Sequence, residues 1–375
     1  METLVEGILN LQFGQIVMML VGALLMYLGI KKEYEPTLLV PMGFGTILVN
    51  FPGSGVLTHE VNGVLQVGIF DQLFNMGISN ELFPLLLFIG IGAMIDFGPL
   101  LENPQMLFFG AAAQFGIFFT VVVAVLFGFD LNEAASIGII GAADGPTSIF
   151  VANQLAPNLL GPITVAAYSY MALVPIIQPW AIKLVTTREE RRIRMPYKAG
   201  KVSKTVKLFF PIVITIVASL IAPTAAPLVG CLMYGNIIRE CGVLDRLSET
   251  AQNSLVNLIS IVLGLAISVK MEHTQFLQIQ TLLIIAFGLV AFVMDTVGGV
   301  LFAKLLNIFR PEGKKINPMI GGAGISAFPM SARVIQKLAT EEDPQNFVLN
   351  YSISANVSGQ IASVVAGGIL LGYFM

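Results

Sequence analysis

Residues Ile137 to Phe150 read IGIIGAADGPTSIF, and the fold turns on what Asp144 is doing there. Its carboxylate stands in a long apolar field and is followed at once by Gly145 and Pro146. A bare acid at membrane depth costs roughly 2.5–3.5 kcal/mol even on insertion scales. Gly then Pro withdraws helix propensity and one backbone donor, so a helix is expected to break here. Inside a bilayer, broken backbone survives only where it lines a protected or watery cavity. Charge, break and freed carbonyls together point to a cation site. The competing reading is a Pro-kinked helix whose Asp is paired to an Arg.

The rest of the chain supplies the apolar field. Of 375 residues, 55% are hydrophobic and only 11% charged, against about 25% charged in a soluble domain. This is the composition of a polytopic all-α membrane protein, and no nucleic-acid partner is expected. Met1 to Asn10 carries Glu2 and Glu6 and no basic stretch, so it lacks the pattern of a cleavable signal peptide. Cys231, Cys241, His59 and His273 are scattered and make no zinc, haem or iron–sulfur pattern.

Apolar segments of spanning character run near 11–30, 81–99, 104–128, 159–184, 207–223, 253–270, 278–303 and 346–373. Shorter ones lie near 37–50 and 226–238, below the roughly 20 residues that a full span wants. Residues 64–78 read as an interfacial segment. The stretches 134–155 and 317–336 are too rich in Gly and Pro for plain spans and are expected to be re-entrant hairpins. Arg188, Arg191, Arg192, Arg194, Lys198, Lys201, Lys204 and Lys207 crowd one loop, which the positive-inside rule makes cytoplasmic. Five crossings before it put both termini outside, with Lys31, Lys32, Arg239, Arg246, Lys304, Arg310, Lys314 and Lys315 inside.

The two halves resemble each other. Pro41 to Asn50 has a counterpart near Met233-Tyr234-Gly235-Asn236, and IGAADGP from Ile140 matches IGGAGIS from Ile320. The expected organisation is a first membrane repeat, 1–186, a basic loop, 187–206, and a second repeat, 207–375. Each repeat would have about five spans and one hairpin. An odd number of crossings inverts the second copy, an architecture that transporters use.

Chemistry-bearing residues cluster in the same places. The second hairpin runs from Asn317 to Arg333 as NPMIGGAGISAFPMSAR. Asn317 and Ser326 offer neutral oxygens, and Arg333 is a permanent cation that either binds an anion or snorkels to the surface. In the last span Ser352, Asn356 and Gln360 repeat every four residues and share a helical face, as helix–helix glue or as part of an oxygen cage. One carboxylate among neutral oxygens suits a hard monovalent cation. Tyr168 and Tyr170 are candidates for a phenol that donates a proton inside the membrane. Asp295 is a second intramembrane acid, placed where Lys304 or Arg310 could pair with it, and Asp96 reads as interfacial.

The motifs GAADGPTSIFVANQLAP, VAAYSYMALVPIIQP, NPMIGGAGISAFPMSARV and ANVSGQIASVVAGG occur in this order. Across essentially its whole length the chain resembles the beta subunit of the biotin-dependent sodium-pumping decarboxylases, the oxaloacetate, methylmalonyl-CoA and glutaconyl-CoA decarboxylases. The resemblance implies a bacterial inner-membrane subunit that decarboxylates carboxybiotin, consumes a proton and exports Na⁺. It implies catalytic roles for Asp144, Tyr170, Ser326 and Arg333, carboxybiotin contacts from Arg333 and Ser326, and Na⁺ ligation by Asp144, Asn317, Ser326 and Asn356. Carboxybiotin would be presented by a partner's biotin carrier domain. A carboxyltransferase alpha subunit, a small membrane gamma- or delta-type subunit and a homotrimer of this chain are also implied. The alternatives are a Na⁺- or H⁺-coupled carboxylate symporter and a membrane scaffold for a soluble enzyme.

Overall fold

The computed structural model describes residues 11–33, 35–61, 63–196, 200 and 202–375. Met1 to Asn10, Lys198 and Lys201, used above, lie outside these. Helix α1 (Phe13–Lys32) turns back into α2 (Pro36–Val49). The hairpin β1 (His59–Val61) and β2 (Val64–Gln66) pairs antiparallel, Glu60 opposite Leu65. Next come α3 (Ile69–Gly77) and α4 (Leu82–Met94), then α5 (Leu107–Ala113) and α6 (Phe115–Leu126). A broken element follows: α7 (Leu131–Gly138), a 3₁₀ turn Ile139–Ala142, and α8 (Gly145–Leu155). Helix α9 (Leu160–Val185) closes the first half. The second half holds α10 (Lys204–Ile221), α11 (Ala226–Glu240), α12 (Val256–Ile267) and α13 (Ile279–Ile308). It ends in a second broken element, a 3₁₀ stretch Pro318–Gly324 leading to α14 (Met330–Glu342), and in α15 (Leu349–Phe374).

Among the described residues, six helices are long and apolar enough to cross a membrane, or eight if two bent pairs each count as one span. The polarity is that of a protein solvated by lipid. Val213, Ile216, Leu220 and Ile221 of α10 face outward, whereas Asn50, Gln114, Asp144, Asp295 and Asn356 are buried. The Arg and Lys ion pairs of the described residues gather at one end. Arg191 pairs with Glu342 at 2.7 Å, Arg194 with Asp343 at 2.6 Å, Lys304 with Glu190 at 3.1 Å and Lys207 with Asp96 at 2.9 Å. The Arg194 bond holds the Asp343 carboxyl below its ordinary range.

One rod is sharply bent and another is loosened at a single turn. Helix α9 bends by 71° near residue 172; Pro175 has no N–H for the carbonyl four residues earlier, which weakens the ladder there. The span expected near 104–128 is present as Pro104–Leu126, with a single loosened turn at Gln114, whose Nε2 donates to the Gly110 carbonyl at 3.0 Å. The N–H of Ile117 donates both to the Gln114 carbonyl at 3.2 Å and to Asp295 Oδ1 at 3.0 Å. Asp295 is thus not paired with Lys304 or Arg310, which bond Glu190 and Gln105 instead.

Packing crosses between the halves in matching ways. Helix α2 lies on α12, and α11 lies on α4. A Cβ on Gly92 would come within 1.8 Å of the Leu232 carbonyl, and one on Gly235 within 1.9 Å of the Ile89 carbonyl. Only glycine permits so close a crossing. Asn50 Nδ2 donates to the Met271 carbonyl at 2.9 Å, and Asn236 Nδ2 to the Ile95 carbonyl at 2.8 Å. Each asparagine closes the end of a helix from the other half. Helix α9 packs on α13, as α15 packs on α5.

Candidate functional site

The break in the first element falls one step before the Gly-Pro pair. Ala143 adopts a left-handed conformation, φ +53°, and Asp144 is extended, φ −128°. Gly145 and Pro146 are the first two residues of α8, where a missing proline N–H costs nothing. Asp144 is the N-cap: its Oδ1 accepts the Thr147 N–H at 3.2 Å, and its own carbonyl accepts Ser148 Oγ at 2.8 Å. The acid therefore has a local structural task as well as its charge. It also sits at the N-terminal end of α8, next to that helix's free N–H groups.

The second element meets it directly. After Gly324 the chain is extended, and Ser326 N–H donates to the Ala142 carbonyl at 2.9 Å. Helix α15 ties both together along one face. Asn356 Nδ2 donates to the Ile325 carbonyl at 2.6 Å, and Gln360 Nε2 donates to the Ser326 carbonyl. Ser363 Oγ donates to Asp144 Oδ2 at 2.9 Å and lies 2.5 Å from Ser326 Oγ. Gly359 makes the approach possible, since a Cβ there would stand 2.3 Å from the Gly324 carbonyl.

Asp144 is 4% exposed and has no ion-pair partner among the described residues, which removes the Pro-kinked, Arg-paired reading. It lines a cavity of about 80 Å³ with Ala143, Pro146, Met171, Ser326, Phe328 and Gln360. That room suits a small ion with a water or two. Asn356 Oδ1 is buried with no hydrogen-bond partner, leaving a free acceptor beside the second break.

Of the residues singled out from sequence, Asp144, Ser326 and Asn356 come together here. Asn317 is occupied at the charged end, its Nδ2 donating to the Arg191 and Ile193 carbonyls at 2.9 Å each and its Oδ1 accepting Met319 N–H. Arg333 is exposed on α14, without an ion-pair partner among the described residues. The ring of Tyr168 packs on Gly145, next to Asp144, whereas Tyr170 donates its hydroxyl to the Ile285 carbonyl of α13. Sequence reasoning missed Ser363. It lies three residues past Gln360 on the same helical face, a spacing that the four-residue count passed over. Ser363→Ala should raise the Na⁺ concentration needed for half-maximal activity about 10-fold or more, because hydrogen bonds to charged groups contribute about 1.5–3 kcal/mol. An unchanged Na⁺ titration would show that this hydroxyl does not serve the acid.

Crossing helices with lipid-like outer faces and a buried acid at two touching breaks define a multi-pass membrane protein with an interior polar site. A family model described as the Na⁺-transporting oxaloacetate decarboxylase beta subunit matches residues 14–374. The chain is 49% identical to the methylmalonyl-CoA decarboxylase subunit beta of Propionigenium modestum, over 98% of this chain and 97% of that one. It is 50% identical to the glutaconyl-CoA decarboxylase subunit beta of Acidaminococcus fermentans, over 98% and 95%. It is 44% identical to a probable oxaloacetate decarboxylase beta chain of Vibrio cholerae, over 98% and 97%. The chain belongs to this family of beta subunits. It is a membrane subunit in which decarboxylation is coupled to sodium transport.

Proposed function

We propose that the protein decarboxylates carboxybiotin brought to it by a partner's carrier domain, consuming a proton and driving Na⁺ outward. The observation that carries this reading is Asp144: a buried acid without a cationic partner among the described residues, facing a small cavity where both broken elements meet. Na⁺ is held there by Asp144 with oxygens of Ser326 and Asn356, and Ser363 and Gln360 fix their positions. Asn317, proposed as a ligand on the resemblance, acts here through its grip on the basic loop.

Carboxybiotin supplies the carboxylate that leaves as CO₂. Arg333, exposed and unpaired among the described residues, receives that carboxylate with its planar fork. Ser326 links the two events, since its N–H, carbonyl and hydroxyl join both breaks and α15. Tyr170 is the proposed proton donor, with the Ile285 carbonyl as its resting partner. Tyr168 walls the Asp144 turn. Coupling requires that Na⁺ binding and carboxybiotin engagement favour different states of the broken elements.

The matched packing of α2 on α12 and α11 on α4 supports two inverted repeats, 1–186 and 207–375, with re-entrant hairpins at 134–155 and 317–336. The charged end, with its basic loop, is cytoplasmic, both termini are outside, and the membrane is the bacterial inner membrane. The complex includes a carboxyltransferase alpha subunit, a biotin carrier and a small gamma- or delta-type subunit, around a homotrimer of this chain. Vesicles holding the complex should release CO₂ from protein-bound carboxybiotin only when Na⁺ is present. Uptake of a free carboxylate along an imposed Na⁺ gradient, without partners, would identify a symporter instead.

A further inference from the structure

The second intramembrane acid has no role in this scheme. Asp295 is completely buried on α13. Its Oδ1 accepts the Ile117 N–H, which also donates to the Gln114 carbonyl, so the side chain holds the first turn of α6 from a neighbouring helix. That task uses one oxygen. Oδ2 is buried and without a hydrogen-bond partner. It faces the turn of the first broken element, where a Cβ on Gly141 would stand 2.9 Å from Oδ2 and 2.9 Å from the Ala291 Cβ.

A capping role explains the acceptor that is used and leaves the other one orphaned. An ionised carboxylate sealed from water with no counter-charge is very costly, and such a group takes up a ligand or neutralises. A metal ion needs several oxygens around it. Oδ2 lies 2.9 Å from where a Cβ on Gly141 would stand, so the ligand that fits without displacing anything is a proton. The ionisable groups on elements packed against α13 are Glu133 on α7, Asp144 ahead of α8, and Tyr168, Tyr170 and Lys183 on α9. None of them is hydrogen-bonded or ion-paired to Asp295 in the described structure.

We propose that Asp295 is a proton-binding site of the pump, protonated on Oδ2 while the 139–142 turn lies on it and deprotonated when that turn moves away. On release the O–H bond at Oδ2 breaks, the electron pair stays on the carboxylate, and the proton passes to water; closure reverses the step. The same short turn leads directly to Asp144. Na⁺ at one acid and H⁺ at the other therefore act on a single element, which makes their affinities interdependent. This deepens the function proposed above and rests on it.

The test uses the purified complex in weakly buffered solution, with a pH-indicator dye following Na⁺ addition. Asp295→Asn keeps an oxygen for the Ile117 N–H and so keeps the cap. It should release fewer protons than wild type by about one per chain, while CO₂ release by the wild-type complex serves as the control for the decarboxylation itself. Equal proton release by the two proteins overturns the proposal. Infrared difference spectra provide a second arm: a Na⁺-sensitive band of a protonated carboxyl should vanish in Asp295→Asn and move in Asp295→Glu. Spectra in which neither substitution alters such a band overturn it as well.

Discussion

Asp144→Asn is expected to abolish Na⁺-dependent decarboxylation and pumping together while leaving the protein folded. Asparagine still caps α8, since its amide oxygen can accept the Thr147 N–H as the carboxylate does at 3.2 Å. Its amide nitrogen takes the place of Oδ2 and can donate to Ser363 Oγ, so the contact survives with its direction reversed. What it lacks is the negative charge, and the remaining oxygens of the cavity are neutral. Removing one partner of a buried charge pair costs about 3–5 kcal/mol, so Na⁺ affinity should fall by about two to three and a half orders of magnitude. The measurements are a Na⁺ titration of CO₂ release and ²²Na⁺ uptake into inverted vesicles. Pumping at the wild-type rate would remove Asp144 from the ion path.

Gly359→Ala is expected to be as damaging by a different route. The new methyl group would stand 2.3 Å from the Gly324 carbonyl and 2.8 Å from the Ile325 carbonyl. Both obstacles are backbone within the second broken element, so no side-chain rotation relieves the overlap. Helix α15 must move off, and it carries the bonds of Asn356, Gln360 and Ser363 to the two breaks. Overpacking costs about 1–3 kcal/mol of stability, and the site opens at the same time. Activity should fall to background at saturating Na⁺, with a lower melting temperature for the purified complex. The nearby Gly372 is a control: a Cβ there meets nothing closer than 3.6 Å, and Gly372→Ala should be silent. Full activity in Gly359→Ala would mean that α15 is free to slide on the hairpin.

Some of the site could be read from sequence because its causes are local. Asp144 with Gly145 and Pro146 had to interrupt a helix, and the interruption appears at Ala143–Asp144. Ser326 and Asn356 were legible as polar residues where polarity is expensive. The loosened turn at Gln114 was not, since no proline marks it, and the N–H of Ile117 that follows it shares its bond with an aspartate 178 positions away. Ser363 escaped for the related reason that its partner, Asp144, is 219 positions away. The pairing considered for Asp295 failed because Lys304 and Arg310 find partners at the charged end instead.

Hydropathy, helix propensity and motif order are properties of neighbouring residues. They determined by themselves that this is an all-α membrane protein, that the chain is interrupted at Asp144, and which family it resembles. Which oxygens surround the acid, which tyrosine ring lies on its turn, and which acceptors remain unsatisfied depend on contacts between distant segments. Those were decided only when glycines let helices approach closely enough for short polar side chains to meet, and no count along the chain contains that distance.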